Sequence, residues 1–226
     1  MKAFATSHVG YHRPSNEDMI ALDGWTSRHG PLDTPKPLET GWALLGDGIG
    51  GNAHGEVASE LAVSLLAVML PALTKATELR AMIAAIHDRI HSVMASHEEL
   101  DGMGTTLVGL VRLDRRLIGF NVGDSRLYRF TAEALEQLSI DDSIGHALTQ
   151  CIGGSDHGLP VAHLCEWVAG PDERLLLCSD GLTDMLDDKQ IHAVLAASPH
   201  DPAHALVEAA LVAGGYDNVS VVVIDP

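Results

Sequence analysis

The sequence has few cysteines, few basic residues and no long apolar run. Its three cysteines, Cys151, Cys165 and Cys178, are too few for a disulfide framework and lack the CxxC spacing of a zinc site. Lys and Arg number 14 against 31 Asp and Glu, and the net charge of −17 argues against nucleic acid or an anionic membrane as a partner. The apolar stretch from Leu61 to Leu73 is shorter than the roughly 20 residues of a membrane span, and the first residues lack the apolar core of a secretory signal. We therefore expect a cytoplasmic globular protein.

Four segments are predicted to be helical. Apolar residues spaced by three and four occur from Val57 to Val68 and from Leu79 to Val93, which is typical of amphipathic helices. A third helix is expected to begin at Asp201-Pro202, an N-cap and first-turn pair, and to end before Gly214. A fourth is predicted from about Asp187 to Ala197.

Six short apolar runs are predicted to be strands, and their continuous apolar character indicates burial on both faces. They are Trp42 to Gly46, Thr106 to Arg112, Leu117 to Val122, Leu127 to Phe130, Leu175 to Cys178 and Val219 to Ile224. The second and third are joined by only four residues around Asp114, which suits an antiparallel hairpin and is too short for a parallel crossover. The sequence therefore predicts an α+β fold, a four-layer α/β/β/α sandwich of two mainly antiparallel sheets, formed as one domain by residues 1–226.

One segment, from Asp23 to Thr40, contains three prolines among polar residues and is expected to be irregular. It is long for a connection in a compact domain, so it is either a functional loop or a tolerated surface insertion. The sequence leaves this choice open.

Aspartates with glycine beside them flank three of the predicted strands. Asp47 follows the run WALLG, Asp180 follows LLLC with one serine between, and Asp217 lies just before VSVVVI. One such Asp is an ordinary turn residue, and the possibility that all three are only turn formers or helix caps stays open. If they converge on one cleft, their charges would repel each other unless cations held them together. Carboxylates and backbone carbonyls, such as that of Gly48, favour magnesium or manganese over zinc.

Six motifs occur in a fixed order along the chain. They are RPSNED (13–18), GDGIGG (46–51) followed by GEVAS (55–59), MGTTLVGLV (103–111), NVGDSRLYR (121–129), LCSDGLTDML (177–186) and GGYDNVSVVVI (214–224). In this order they resemble the metal-dependent protein serine/threonine phosphatases of type 2C, the PPM family, in its bacterial form. The resemblance covers about residues 9–224 and implies the same four-layer sandwich.

The resemblance also implies a role for each motif residue. Asp47 matches a carboxylate that bridges two metal ions, either Mn²⁺ or Mg²⁺, and Gly48 matches a carbonyl ligand to one of them. The other matches are Glu17 and Asp18 beside that ion, Asp180 and Asp217 on the other ion, Asp124 with Asp180 on a third and weaker ion, and Arg13 on the substrate phosphate. Asn218 and Ser125 are expected to support these loops rather than to bind.

By this resemblance, the expected function is hydrolysis of phosphoserine and phosphothreonine in proteins, opposing a serine/threonine kinase. The family's chemistry is direct attack by a hydroxide held between two divalent ions, with no phosphoenzyme. The alternative is a catalytically silent module that binds phosphoproteins or regulates a kinase on the same fold. A nucleotide-binding site at GDGIGG is disfavoured because GK[ST] is missing. A monomer is expected.

Two departures from the family affect the details. Ile49 stands where many eukaryotic members have a histidine proposed to protonate the leaving group, so the general acid is unassigned, and His12 and His54 are only weak candidates. Only residues 144–147 separate the acidic turn at 140–143 from the segment 148–154, so the family's mobile flap is expected to be nearly absent. We expect an open cleft, which the segment from Asp23 to Thr40 would partly cover.

Overall fold

The computed structural model describes residues 1–32, 34–49, 54–155, 158–170 and 172–226. The glycines Gly50 and Gly51 of the GDGIGG motif lie outside the described residues, as does Asp33 in the proline-containing segment. The strands, in chain order, are β1 (Lys2–His8), β2 (Met19–Leu22), β3 (Trp25–Ser27), β4 (Gly30–Pro31), β5 (Lys36–Pro37), β6 (Trp42–Gly46), β7 (Gly48–Ile49), β8 (Gly104–Thr105), β9 (Leu107–Leu113), β10 (Arg116–Val122), β11 (Arg126–Phe130), β12 (Leu135–Gln137), β13 (Ser143–Ile144), β14 (Ala147–Leu148), β15 (Ile152–Gly153), β16 (His163–Trp167), β17 (Arg174–Cys178) and β18 (Val219–Asp225).

The helices lie between these strands. They are α1 (Gly55–Met69), α2 (Glu78–Met94), α3 (Asp180–Thr183), α4 (Asp188–Ala197) and α5 (Pro202–Ala213), with short 3-10 turns at Leu70–Ala72 and Glu98–Leu100. The four predicted helices correspond to α1, α2, α4 and α5. Asp187 caps α4 through a capping box with Gln190, whereas Asp201 is the N-cap residue of α5 but makes no side-chain capping bond.

Two antiparallel sheets form the middle of the molecule. The first has the order β12-β11-β17-β18-β1-β4, with β5 also paired to β1, and the second has the order β16-β10-β9-β6-β2-β3. The hairpin predicted around Asp114 joins β9 to β10 in antiparallel register, and Asp114 takes a positive φ of 57° in its turn. The antiparallel prediction is confirmed.

Three apolar cores separate four layers. Between the two sheets lie side chains such as Ala5, Leu45, Val108, Leu177 and Val222. The outer face of the second sheet packs against α1 and α2, and the outer face of the first sheet packs against α3, α4 and α5. Each central strand therefore buries both faces, which is why its sequence is apolar without alternation. The predicted α/β/β/α sandwich is confirmed.

The six predicted strands are present as β6, β9, β10, β11, β17 and β18, each within about one residue of its predicted bounds. Strand β1, which lies between β18 and the short strands β4 and β5 in the first sheet, is not among the predicted strands. Its residues, KAFATSH, are mostly small or polar and give a weak strand signal. Pairing along its whole length with β18 overrides that weak local preference.

The segment from Asp23 to Thr40 is only partly irregular, because three short strands lie within it. It supplies β3 to the edge of the second sheet and β4 and β5 to the edge of the first. Its prolines Pro31 and Pro37 lie in these edge strands, where a missing N–H is tolerated. No described residue of the segment lines the acidic cleft presented below, so the expectation that it covers the cleft is wrong.

Helix α1 and the 3-10 turn after it are longer than the apolar run from Leu61 to Leu73. Together they span Gly55–Ala72, 18 residues with a mean hydropathy of 1.5, which is long and apolar enough to cross a membrane by length and composition alone. Core helices of globular proteins meet the same measure. Ala58, Ala62 and Leu66 on this helix are fully buried in the core against the second sheet.

Candidate active site

An acidic cleft of about 330 Å³ contains every predicted site residue except Asp18. It is lined by Arg13, Glu17, Asp47, Gly48, Ile49, Thr106, Asp124, His146, Leu148, Asp180, Asp184, Asp217 and Asn218. Asp18 has no exposed surface. Residues from six distant motifs thus meet in and immediately behind one cavity.

The backbone of Asp47 is held rigidly where β6 ends. Its N–H donates to Thr106 Oγ1 at 3.1 Å, and its carbonyl accepts bonds from the Thr106 N–H at 2.8 Å and from Thr105 Oγ1 at 2.9 Å. These contacts tie Asp47 to the chain entering β9. They fix the backbone from which its side chain extends.

Gly48 is a position where only glycine fits. A Cβ at this residue would lie 2.3 Å from the Gly55 carbonyl oxygen and 2.8 Å from the Glu17 carbonyl oxygen. The Gly48 N–H donates to the same Glu17 carbonyl at 3.2 Å. The absence of a side chain therefore lets the loop after Asp47 touch both the acidic loop at residue 17 and the start of α1.

The Asp180 and Asp217 loops are joined through β17 and β18, which pair in the first sheet. The Ser179 N–H donates to the Ser220 carbonyl at 3.1 Å, and the Ser220 N–H donates to Ser179 Oγ at 3.0 Å. Helix α3 begins at Asp180, so the strand end and the helix start together position this carboxylate. Asp217 lies just before β18, which runs antiparallel to β17, so Asp180 and Asp217 lie at the same end of the first sheet.

Asn218 connects the two acidic loops, as expected for a supporting residue. Its Oδ1 accepts a hydrogen bond from the Glu17 N–H at 2.7 Å, and its Nδ2 donates to the carbonyls of Val9 and Ser15, both at 2.9 Å. The segment that contains Arg13 and Glu17 is thereby fixed against the start of β18. Ser125, the other residue expected to have a supporting role, is buried and shares a 2.7 Å hydrogen bond with Thr106.

Burial and repulsion from neighbouring carboxylates raise the pKa values of Asp18, Asp47 and Asp180. Burial is the largest cause at Asp18, whose pKa rises to about 6, and at Asp180, whose pKa rises to about 7 with further contributions from Asp124 and Asp217. Asp47 has a pKa well above its ordinary value, because it is buried and faces Asp18 and Asp180. The protein alone therefore disfavours having all these groups ionised at once.

The residues present fit divalent cations. Asp18 Oδ1 is buried without a hydrogen-bond partner, while Oδ2 of the same carboxylate accepts a 2.9 Å bond from Ser179 Oγ. The available donors are carboxylate and carbonyl oxygens, which suit magnesium and manganese. Within the described parts of the chain, no three acidic, histidine or cysteine side chains are already closed into a coordination set.

Arg13 is the basic side chain among the lining residues. Its Nη2 lies 2.6 Å from Asp217 Oδ2, and the Arg13 side chain is 51% exposed. The hydrogen bond to Asp217 is the main cause of a raised Arg13 pKa, so the guanidinium stays charged. A planar donor of this kind at the rim of the cleft suits a phosphate group.

The structure adds lining residues that the sequence analysis missed. Asp184 lies four residues after Asp180. This spacing places two residues on one face of a helical turn, so it could have indicated that Asp184 lies near Asp180. His146 had no sequence signal: it reaches the cleft from the two-residue connection between β13 and β14. The weak candidates His12 and His54 are absent from the lining, and His54 instead contacts Glu56 at 3.0 Å.

The flap region is a short hairpin formed by β13 and β14. Its base is anchored by Asp142, whose carboxylate accepts bonds from the Gly123 N–H at 3.0 Å and from Gln150 Nε2 at 2.7 Å and lies 2.8 Å from His163 Nε2. From this hairpin, His146 in the turn and Leu148 at the base line the cleft.

A larger groove, of about 440 Å³, lies elsewhere on the first sheet. It is lined by residues that include Phe130, Arg174, Leu195 and Asp225. Arg174 is paired there with Asp225 at 2.7 Å, and none of the predicted site residues lines it. The smaller acidic cleft is therefore the better candidate for the chemistry.

The four-layer sandwich, with carboxylates gathered at its strand ends, defines a protein of the phosphatase 2C class. A sequence profile of the family Protein phosphatase 2C matches residues 37–211. The serine/threonine phosphatase stp of Listeria welshimeri is 32% identical over 209 residues, which cover 80% of this chain and 83% of that protein. The chain belongs to the Protein phosphatase 2C family.

The similarity extends to mycobacterial proteins. The serine/threonine protein phosphatase PstP of Mycobacterium tuberculosis is 35% identical over 202 residues, which cover 80% of this chain; the chain spans only 39% of the length of that relative. The crystal structure of PstP matches with a TM-score of 0.82 and 30% identity, covering 100% of this chain and 99% of that chain. A structure of the PstP catalytic domain in complex with two manganese ions matches with a TM-score of 0.80 and 32% identity, covering 100% and 99%.

Proposed function

We propose that this chain is a divalent-metal-dependent phosphatase that removes phosphate from phosphoserine and phosphothreonine in proteins. The observation that carries the proposal is the convergence of Asp18, Asp47, Asp180 and Asp217 at one cleft, with pKa values raised by burial at the first three. Such a cluster is unfavourable without cations and becomes a strong site for them when they are present. The family membership and the manganese-bound relative support the same conclusion.

The candidate ligands divide into two sets around Asp47. Glu17 or Asp18 and the Gly48 carbonyl would hold one ion with Asp47, while Asp180 and Asp217 would hold the other. Asp124 lies in the same cleft as Asp180, and the pair would hold a third, weaker ion. When bound, two divalent ions lower the pKa of a shared water toward about 7 and neutralise charge on a phosphoryl group.

The chain's own residues orient the substrate. Arg13 would bind two oxygens of the phosphate through its guanidinium, because its side chain is half exposed at the cleft rim. Asp217, which accepts a bond from Arg13 at 2.6 Å, would hold that guanidinium in place. Without cations, the carboxylates around the cleft would repel a phosphate dianion, so the proposed activity requires metal.

The cellular setting is part of the proposal. The substrate would be a phosphoprotein made by a serine/threonine kinase, and the enzyme would act as a monomer in the cytoplasm on Mn²⁺ or Mg²⁺. The motif set and the relatives named as serine/threonine phosphatases support the substrate class. No observation favours the alternative of a silent binding module, since each carboxylate predicted to bind metal lies in the cleft or, for Asp18, is buried behind it.

Turnover of p-nitrophenyl phosphate and of a phosphothreonine peptide, with manganese and with chelator, tests the proposal. We expect activity only with the metal, and a loss of at least about a hundredfold in Asp180→Asn, because a metal ligand is removed. Asp201→Asn is the matched control, since Asp201 makes no side-chain capping bond and lies outside the cleft. Activity that persists in chelator, or in Asp180→Asn at the level of the control, would rule out the proposed mechanism.

A further inference from the structure

Two exposed tyrosines adjoin cleft-lining residues in the chain: Tyr11 lies two residues before Arg13, and Tyr216 directly precedes Asp217. The chain has only three tyrosines, three phenylalanines and three tryptophans. Tyr11 is 66% exposed and Tyr216 is 61% exposed. In the described part of the chain, the other large hydrophobic side chains with high exposure are aliphatic. We call Tyr11, His12 and Tyr216 the aromatic ledge. Exposed aromatic groups that sit together beside a site are typical of binding surfaces.

The aromatic ledge is held firmly to the site. The Tyr11 N–H donates to the Gly215 carbonyl at 2.8 Å, and the His12 ring stacks on the Tyr216 ring with centroids 4.7 Å apart and an interplanar angle of 26°. The next residues along each chain segment are Arg13 and Asp217, which are themselves paired. The aromatic ledge is therefore held next to Arg13, the residue proposed to bind the substrate phosphate.

We propose that the aromatic ledge binds the substrate segment that flanks the phosphorylated residue, and that it favours a basic side chain there. This inference rests on the proposed function. A phosphate held by Arg13 brings its own polypeptide beside the ledge, and an extended peptide advances about 3.3 Å per residue, so residues one to three positions away reach the tyrosine rings.

The preference for a basic residue follows from two features. Lys and Arg bind over the faces of tyrosine rings, with more benefit when water is excluded. The chain carries a net charge of −17, so a cationic side chain is attracted and an acidic one is repelled. The preferred substrate is therefore a phosphopeptide with Arg or Lys within about three residues of the phosphothreonine or phosphoserine.

The test compares two phosphothreonine peptides that differ only in having Arg or Ala at the flanking positions. Wild-type protein should prefer the Arg peptide, and Tyr11→Ala and Tyr216→Ala should each lower kcat/KM for it by about two- to fivefold through a higher KM. Turnover of p-nitrophenyl phosphate, which has no flanking chain, should not change. Val212→Ala, at an 87% exposed position on α5, is the matched control. Tyr216→Phe keeps the ring and should keep the preference.

The outcomes distinguish a failure of the ledge proposal from a failure of the proposed function. If wild-type protein hydrolyses p-nitrophenyl phosphate with manganese but the ledge variants keep the full preference for the Arg peptide, the ledge proposal fails and the proposed function stands. Equal losses on both substrates would also overturn it, because the ledge would then act only on the cleft structure. An absence of metal-dependent turnover by wild-type protein would refute the proposed function itself.

Discussion

Replacing Asp18 by Asn should have opposite effects on the metal-free and metal-bound protein. Asp18 is completely buried, its Oδ1 has no hydrogen-bond partner, and it faces the charge of Asp217. A buried, unpaired carboxylate destabilises the fold, whereas the same carboxylate stabilises a bound cation. Asp18→Asn removes the charge while leaving an oxygen that accepts the bond from Ser179 Oγ.

The magnitude follows from the pKa of Asp18, which rises from 3.8 to about 6 in the folded protein. The folded state then binds protons more readily than the unfolded state, so stability is greatest below about pH 4 and declines as the pH rises to about 6. At pH 7.5 the ionised Asp18 costs about 3 kcal/mol. The new amide has imperfect partners and offsets part of the gain, which leaves about 1–2 kcal/mol, or a Tm higher by about 3–6 °C for a chain of this size.

Thermal unfolding with chelator and with manganese, at pH 7.5 and pH 5, measures these effects. Asp18→Asn should raise the Tm in chelator at pH 7.5, show a smaller gain at pH 5, and weaken manganese binding by about tenfold. Asp142→Asn is the control, since that carboxylate is buried but fully engaged with Gly123, Gln150 and His163; it should lower the Tm in both states. The reasoning is refuted if Asp18→Asn behaves like this control.

Three further changes test separate parts of the site. Arg13→Ala should lower kcat/KM for p-nitrophenyl phosphate by about 10- to 100-fold, the value of a charge-assisted hydrogen bond, while manganese binding by calorimetry stays intact; a parallel loss of manganese would contradict the assigned role. Gly48→Ala should lower the Tm and abolish activity, because its Cβ would lie 2.3 Å from the Gly55 carbonyl oxygen, and an unaltered melt would show that this loop relaxes freely. Asp187→Ala should cost about 1 kcal/mol of unfolding free energy by removing the capping box of α4, with kcat unchanged. A clear fall in kcat below the Tm of the variant would contradict this prediction.

Six of the longer strands, the four longer helices and the candidate acidic residues can be predicted from local sequence patterns. Strands such as β9 and β18 are apolar on both faces because each sheet is covered on both sides, and this composition is visible without a structure. The aspartates at Asp47, Asp180 and Asp217 were visible because glycine and the strand ends mark them. Motif order then made the family recognisable.

Which parts of the chain meet depends on how the whole chain folds. Strand β1 has a weak local signal and forms because β18 and the short edge strands flank it, and the segment from Asp23 to Thr40 was misjudged because edge pairing depends on distant partners. His146 and Tyr11 lie outside the six motifs, and Tyr216 lies inside the motif GGYDNVSVVVI without any mark of its surface exposure. The places of all three residues depend on contacts between distant parts of the chain. The type of each side chain can be known from the sequence, but the distance between side chains on remote loops is set only when the two sheets pack.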